Sequence, residues 1–249
     1  MRESETYIYG KNSIIEAIKS DTEIQKNFIC YGVEAKNILI LAKQKKINCT
    51  VLDKNKFREL EKKNCPTDAK TQGVIALKQI VKTYDLVGFL ENIDLKKNPV
   101  LAILDGITDP QNLGAIVRSA ECAGVEAIIL PTKKSAMITP TAIKSSAGAL
   151  NYFPIIQVNN LLVAIEKLKS KGFWIVGTEM KAKENYYDKI YDKPIVVVIG
   201  SEGKGMGSAI QKHCDHLIKI NMVGKLDSLN ASVSAGIIFF EILRQKSIK

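Results

Sequence analysis

Two polar side chains on one short stretch, Asn112 and Arg118, have the types and spacing needed to bind an anion. A buried-strand pattern ends just before them, and Asp109-Pro110 then supplies a favourable N-cap and first helical residue. Asn112 falls in the first turn, where free N–H groups and the helix dipole favour negative charge. Arg118 lies roughly 140° around the helix from Leu113, off the apolar stripe. It can therefore reach an anionic ligand, although an ordinary exposed arginine would show the same pattern.

A second segment, residues 196–207, reads Val-Val-Val-Ile-Gly-Ser-Glu-Gly-Lys-Gly-Met-Gly and contains one acid, Glu202. The pattern is a buried strand that ends in a glycine-rich loop. It is not a phosphate-binding P-loop, because no Gly-Lys-Ser/Thr follows at the required spacing. It is not the G-x-G-x-x-G turn of a dinucleotide fold either. Gly200, at the end of the strand, would let another backbone approach closely.

The third segment, residues 219–240, runs from a short strand through a polar loop into a helix. Ser228 and Asn230 in the loop can cap that helix. The first helical turns carry only small residues besides Val233, which let a backbone or a flat ligand come close. These small residues are Ala231, Ser232, Ser234, Ala235 and Gly236. Taken alone, the segment is an ordinary strand–loop–helix unit.

Composition favours a folded protein with a polyanionic partner. The chain has 249 residues, of which 46% are hydrophobic, so one large or two modest domains can be packed. The formal net charge is +10. Residues 1–80 hold 15 basic and 10 acidic side chains, and residues 81–249 hold 21 and 16. A solvated lysine-rich surface explains part of this charge, and nucleic acid binding is the functional interpretation.

Neither a membrane nor a metal is expected. Residues 1–6 lack the apolar core of a leader segment, and the longest apolar runs, 195–199 and 237–240, are too short to span a bilayer. The five cysteines, at 30, 49, 65, 122 and 214, form no C-x-x-C pair, which favours free thiols in a reducing cytoplasm. The cluster of His213, Cys214 and His216 lacks a fourth ligand.

Hydrophobic periodicity predicts two α/β domains joined by a linker at residues 81–98 that contains a short helix at 86–90. Residues 1–80 form the first domain, with strands at 26–31, 47–52 and 74–77 and helices near 14–18, 35–45 and 54–63. Residues 99–249 form the second, with strands at 100–104, 125–130, 173–177, 195–199 and 217–220. The first predicted helix of this domain begins at 110 and ends at Gly124. The others cover 138–149, 161–169 and 230–245. Strands that alternate with helices indicate an essentially parallel sheet.

The three segments, in this order, closely resemble the signature motifs of the SpoU/TrmH family of RNA ribose 2′-O-methyltransferases, in the SPOUT class. The shared patterns are Asn-Leu-Gly-x-x-x-Arg, Gly-x-Glu-Gly-x-Gly and Ser-Leu-Asn-x-Ser, and the resemblance covers residues 99–245. Residues 1–80 resemble the L30e-like RNA-binding domain of the branch that modifies a guanosine of 23S rRNA. The matching stretches of this domain are Tyr-Gly-Lys-Asn-Ser-Ile-Ile-Glu-Ala at 9–17 and Gln-Gly-Val at 72–74. Within the catalytic domain, Lys-Ser-Ser-Ala-Gly-Ala-Leu at 144–150 matches the same branch.

The resemblance implies a deep trefoil knot in the second domain and a homodimer with the cofactor site near the subunit interface. It also implies methyl transfer from S-adenosylmethionine to a ribose 2′-OH. Arg118 would then position the target and stabilise the developing alkoxide, since a guanidinium stays protonated near neutral pH. The resemblance assigns catalytic roles to Arg118, Asn112, Glu202, Asn230 and Ser228. Asn112 and Glu202 would orient Arg118 and the nucleotide, and Asn230 with Ser228 would orient the substrate or cofactor. The cofactor residues carried over are Thr178, Gly200, Ile220, Met222, Ser228 and Leu229.

Several alternatives remain open on the sequence. The substrate could be tRNA instead of 23S rRNA, or a different rRNA nucleotide, as in antibiotic-resistance relatives. A non-catalytic RNA-binding protein of ribosome assembly could retain the same fold, although the intact polar motifs argue against this. A nucleotide-binding regulator is disfavoured because the P-loop and dinucleotide patterns are missing.

Overall fold

The computed structural model describes residues 7–19, 22–78, 81–188, 190–226 and 228–247. Contacts between Cα atoms divide the chain into two compact units, Met1–Ile80 and Val81–Lys249. Residues 1–6, from which a leader segment was judged absent, lie outside the described ranges. None of the helices in those ranges combines the length and hydropathy needed to cross a bilayer.

The first unit is an α/β module built on a four-stranded sheet. Its elements are β1 (Tyr7–Tyr9), α1 (Lys11–Lys19), β2 (Ile24–Cys30), α2 (Lys36–Gln44), β3 (Asn48–Leu52), α3 (Lys54–Asn64) and β4 (Val74–Lys78). The strand order is β1-β4-β2-β3, with β2 and β3 parallel and β4 antiparallel to its neighbours. The predicted helices and strands of this unit are confirmed to within about three residues, whereas β1 was not predicted.

The second unit contains the remaining elements. These are β5 (Thr83–Tyr84), α4 (Leu86–Glu91), β6 (Val100–Asp105), α5 (Pro110–Cys122), β7 (Ala127–Pro131), α6 (Pro140–Ser145), β8 (Ile155–Val158), α7 (Leu161–Lys171), β9 (Trp174–Thr178), β10 (Glu184–Asn185), β11 (Ile195–Gly200), α8 (Ser208–Gln211), β12 (His216–Lys219) and α9 (Ala231–Ser247). The sheet order is β10-β12-β9-β11-β6-β7-β8-β5. Each of these pairings, as described, is parallel. The predicted parallel sheet is therefore confirmed.

The stretch 81–98, predicted to be a linker, instead belongs to the second unit. Strand β5 pairs in parallel with β8 and forms one edge of the sheet. Helix α4 follows, and its Leu86 and Leu90, one helical turn apart, are buried in the core of this unit. The two apolar side chains explain why the stretch packs against the sheet instead of crossing solvent.

The helix predicted over 138–149 is wrong in its length. Helix α6 is capped by Thr139 and ends at Ser145, because Ala147 and Gly148 adopt left-handed backbone conformations with φ of 50° and 89°. A 3₁₀ turn and strand β8 follow, and neither was predicted. The break keeps α6 short enough to pack closely on α5. A Cβ atom at Gly114 of α5 would lie 2.3 Å from the carbonyl oxygen of Ala142.

The parallel sheet brings the three polar segments to one edge. Strands β6, β9, β11 and β12 all run in the same direction, so their carboxyl ends meet at the same edge. The chain leaves β6 toward β7 on one side, while β11 lies on its other side. Ligands of open α/β sheets bind at such a reversal of strand order, outside the carboxyl ends.

Candidate active site

One carboxylate oxygen joins the three polar segments. Oε1 of Glu202 accepts hydrogen bonds from Nδ2 of Asn230 at 2.6 Å, from Nδ2 of Asn112 at 3.0 Å and from the backbone N–H of Ala231 at 3.1 Å. The donors come from the start of α5 and the start of α9, which are far apart in sequence. Glu202 therefore ties the glycine-rich loop to the N-terminal ends of both helices.

The two asparagines are held by helix capping. Asp109 accepts hydrogen bonds from the backbone N–H groups of Gln111 and Asn112, both at 3.2 Å, which fixes the first turn of α5. Asn230 caps α9, because its Oδ1 accepts from the N–H of Ser232 at 2.9 Å. Its Nδ2 also donates to Oδ1 of Asn112 at 3.0 Å. The predicted capping role of Asn230 is thus present in the structure, and its amide also reaches the first motif.

The glycine-rich loop is closed on itself and anchored to the neighbouring strand. Ser201 and Gly205 exchange two backbone hydrogen bonds, at 3.1 and 2.9 Å. At the loop's exit the N–H of Gly207 donates to Oδ2 of Asp105 at 2.7 Å. Sequence reasoning missed Asp105. The available signal was an acid at the end of a buried strand, and that residue is in fact paired in register with Gly200.

A pocket of about 480 Å³ opens beside this loop. It lies at the carboxyl ends of β9, β11 and β12, and its volume is typical of small-molecule sites. All six residues that the sequence predicts to bind the cofactor line this pocket: Thr178, Gly200, Ile220, Met222, Ser228 and Leu229. Glu202 lines it as well, so the polar network and the pocket share a wall. Asn112 and Asn230 are not lining residues and reach the pocket only through Glu202.

Arg118 is not part of the polar network. It is exposed on α5, six residues beyond Asn112, or about 9 Å along the helix axis. Within the described ranges it forms no hydrogen bond or ion pair with Asn112 or Glu202, and it does not line the pocket. The sequence predicted that these two residues orient Arg118, but in this structure they bond to each other.

The side chains of His213, Cys214 and His216 do not converge. His213 contacts the carbonyl oxygen of Ala209 at 2.8 Å, and His216 lies 3.1 Å from the carboxylate of Glu184. Burial, with a smaller contribution from Asp215, raises the pKa of the Cys214 thiol to about 11, so the thiol stays protonated at neutral pH. Among the described residues, no group of three or more His, Cys, Asp or Glu side chains is placed to hold a metal ion.

Comparison with known families gives two matches, one within each unit of the structure. Residues 99–240 match the SpoU rRNA Methylase family. Residues 7–79 match the family described as RNA 2′-O ribose methyltransferase substrate binding. The first match spans more than half of the chain and contains all three motifs.

Relatives match over nearly the full length. YacO of Bacillus subtilis (strain 168), assigned to the TrmH family of tRNA/rRNA methyltransferases, is 34% identical over 99% of this chain and 98% of its own. A Staphylococcus epidermidis protein with the same family assignment is 39% identical over 96% of this chain and 95% of its own.

Solved structures share the fold. The SpoU methyltransferase AviRb from Streptomyces viridochromogenes, solved with the cofactor AdoMet, aligns with a TM-score of 0.62 at 22% identity over 98% of this chain and 91% of its own. The A. aeolicus TrmH/SpoU tRNA modifying enzyme aligns with a TM-score of 0.56 at 29% identity over 66% of this chain and 85% of its own.

These matches define an RNA methyltransferase that depends on S-adenosylmethionine. The chain belongs to the SpoU/TrmH family. The pocket fits such a cofactor in size and in chemistry. Ile220, Met222 and Leu229 offer apolar surface for an adenine ring, and Glu179 provides negative charge toward a cationic methyl donor.

Replacement of Glu202 by alanine should destabilise the protein. The change removes the acceptor of three hydrogen bonds. Because the site is exposed and water can replace the lost acceptor, the total loss should be that of about one bond to a charged group, about 2 kcal/mol. We expect the free energy of unfolding, measured by urea titration, to fall by about that amount. Glu202→Gln should recover most of the loss, because its amide oxygen can still accept.

Glu166→Ala is the matched control for this change. Glu166 is an exposed carboxylate on α7, so its removal should leave stability within about 0.5 kcal/mol. An equal loss in the two alanine variants would show that the three-donor contact does not stabilise the site.

Proposed function

We propose that the protein transfers a methyl group to a ribose 2′-OH of 23S rRNA, on a guanosine of the peptidyl-transferase region. The observation that carries the proposal is the Glu202 contact, which joins all three family motifs beside the pocket. A non-catalytic RNA-binding protein would have no need to keep this polar network intact next to a cavity of cofactor size. We also propose that it acts in the cytoplasm, in keeping with five free cysteines.

The pocket residues would hold the cofactor mainly through backbone groups and apolar contacts. The chemistry that S-adenosylmethionine supplies is a methyl group already activated on a sulfonium. Ile220, Met222 and Leu229 would enclose its adenine ring, while Ser228 lies in the same wall. Thr178 donates its hydroxyl to the carbonyl oxygen of Val198 at 3.1 Å, which fixes the end of β9 at the pocket floor. Gly200 lets the backbone of Gly205 and Met206 approach closely.

Arg118 would act on the RNA. A 2′-OH is a poor nucleophile, so the protein must align it and favour loss of its proton. A fixed guanidinium beside the oxygen stabilises the alkoxide that develops. Asn112 and Asn230, locked by Glu202, would hold the helix starts that shape the nucleotide site. Because Arg118 is exposed and free of this network, it is available to a phosphate or to the target ribose.

The first unit supports rRNA as the substrate. Its match to a substrate-binding family accounts for residues 7–79. The second candidate is tRNA, which is favoured by the likeness to the A. aeolicus tRNA modifying enzyme at 29% identity. That likeness covers 66% of this chain. What favours rRNA is the resemblance of the first unit to the L30e-like domain of the branch that modifies 23S rRNA.

We propose further that the second unit contains a trefoil knot and forms a homodimer. In the sheet, β9 lies between β11 and β12, so the chain passes β9 on its way from β11 to β12. It then continues to α9, which packs on α5. Helix α9 also leaves apolar side chains exposed: Val233 and Phe240 are each 49% exposed. A partner subunit would cover them.

The decisive experiment measures methyl transfer from radiolabelled S-adenosylmethionine into separated rRNA and tRNA that lack their own 2′-O-methyl marks. The expected result is label in 23S rRNA, together with resistance of that RNA to alkaline cleavage at one nucleotide. Label confined to tRNA would overturn the rRNA substrate while keeping the enzyme class. No transfer into either RNA, with cofactor binding shown by calorimetry, would favour the non-catalytic alternative.

Removal of residues 1–80 should separate the two proposed roles. Because the pocket lies wholly within the second unit, residues 81–249 should keep cofactor affinity within about threefold by calorimetry. Affinity for rRNA should fall by at least about tenfold, since the substrate-binding region is lost. A folded truncation that binds rRNA as tightly as the full chain would contradict the role given to the first unit.

A further inference from the structure

The loop after β7, residues 132–139, is a fixed part of the edge that carries the active site. Its Ala136 donates a backbone hydrogen bond to the carbonyl oxygen of Ile107 at 2.7 Å. Ala136 and Ile138 are buried, and Thr132 donates to the carbonyl oxygen of Val158 at 2.9 Å. The loop is therefore held against the turn that leads from β6 into α5.

Two adjacent lysines project from this loop. Lys133 and Lys134 are both exposed, and Lys134 has a left-handed backbone with φ of 57°. Residues other than glycine seldom adopt that conformation, and it gives a lysine no energetic advantage. Neither ammonium group forms an ion pair within the part of the chain that the structure describes.

Three acids at the same edge accept hydrogen bonds from within the protein. Asp109 accepts from two N–H groups of α5, Asp105 accepts from Gly207, and Glu202 accepts from three donors. Their negative charge is directed at internal donors. Lys133 and Lys134, with no such internal partner in the described residues, leave this edge with a positive field toward solvent.

The distance between the two lysines and the pocket suits a nucleotide next to the one that is methylated. In the sheet, β7 lies two strands from β11, which ends at Gly200 in the pocket wall. Two strand spacings amount to about 10 Å. Because the turn that holds the loop leads directly into the helix of Asn112 and Arg118, the lysines lie beside the proposed path of the RNA, outside the cofactor pocket.

We propose that Lys133 and Lys134 bind the phosphodiester backbone of the RNA that flanks the methylated nucleotide. The contact is electrostatic and independent of sequence, as lysine–phosphate contacts are. It rests on the proposed function only in taking RNA as the ligand at this edge. It adds a binding surface on the second unit to the substrate-binding region of the first.

The test compares two double variants of the full chain. Lys133→Ala/Lys134→Ala removes the proposed contacts. Lys167→Ala/Lys171→Ala removes the same charge from exposed positions of α7, which ends next to the start of β9 at the opposite edge of the sheet. Binding of an oligouridylate of about 20 nucleotides is measured by fluorescence anisotropy from 50 to 250 mM salt, and binding of S-adenosylmethionine by calorimetry.

The Lys133/Lys134 variant should reduce the slope of log K against log salt by about 1.4, since each contact to a single strand contributes about 0.7. Its Kd for the oligonucleotide should rise on the order of tenfold at low salt, with cofactor affinity unchanged. The α7 variant should change the slope by less than about 0.4. Equal slopes for the Lys133/Lys134 variant and the wild type, or equal losses in the two variants, would overturn the proposal.

The same variants separate this inference from the proposed function. Failure of the wild type to methylate 23S rRNA would overturn the substrate proposed above. The slope difference on oligouridylate would still support the lysine contacts, because that probe requires no particular target nucleotide.

Discussion

Arg118→Ala should reduce the rate of methyl transfer by a factor of about 100 to 1,000, the usual loss when one donor to a developing oxyanion is removed. The affinity for S-adenosylmethionine should stay within about twofold, because Arg118 does not line the pocket. Single-turnover transfer into rRNA and calorimetry with the cofactor measure the two quantities separately. The expected split is a change in rate without a change in cofactor binding.

Arg118→Lys is the informative companion variant. Lysine keeps the charge but loses the planar fork of donors, so it should restore only part of the rate if Arg118 grips a phosphate or the ribose in a fixed geometry. Unfolding of each variant by urea checks the fold. Comparable losses of cofactor affinity and transfer rate in Arg118→Ala would contradict the role assigned to this residue.

Gly200→Ala should abolish tight cofactor binding by deforming the pocket wall. A Cβ atom at this position would lie 2.4 Å from the backbone carbon of Gly205 and 2.5 Å from the backbone nitrogen of Met206. Neither contact can be relieved by a side-chain rotation, so the loop must move. Overpacking of this kind costs about 1–3 kcal/mol, and the affinity for S-adenosylmethionine should fall by up to about 100-fold.

Gly224→Ala adds the same methyl group without a collision. Apart from its chain neighbours, no atom of the described residues lies within 4 Å of a Cβ built at Gly224. Gly224 is in the loop between β12 and α9 but does not line the pocket. This variant should bind the cofactor within about twofold of wild type. If Gly200→Ala retained wild-type affinity with an unchanged unfolding midpoint, the close approach of the loop would have no part in the site.

Much of the fold could be predicted from local patterns. The buried runs 100–104 and 195–199 are apolar at almost every position, as a parallel strand covered on both faces requires, and both are strands. The capped start of α5 was equally explicit, since Asp109 and Pro110 each favour one position at a helix start.

The errors arose where tertiary contacts overrode local patterns. The stretch 138–149 has the composition of a single helix, but left-handed Ala147 and Gly148 end it, and nothing in the periodicity shows this. Strand β8 is only four residues long and was missed for lack of length. Residues 81–98 look like a connection until the partner strand of β5 is known.

The candidate site was predicted from motifs, and its geometry was not. The residues expected to hold the cofactor all line one pocket, but this follows from the family resemblance and not from spacing. No sequence pattern showed that Glu202 would contact Asn112 and Asn230 in place of Arg118. Asp105 was missed because an acid at a strand end is common and its partner is a backbone N–H 102 residues away.

The three hydrogen bonds to Glu202 affect when, during folding, the enzyme becomes able to bind the methyl donor. These hydrogen bonds close chain segments of 90 residues to Asn112 and 28 residues to Asn230. The entropic cost of such closures must be met before the bonds can form, and non-local contacts of this kind form slowly. A partly folded chain can possess strands and helices and still lack the wall that Glu202 completes. We therefore expect the competence to hold the methyl donor to arrive late in folding, after the strands and helices have formed.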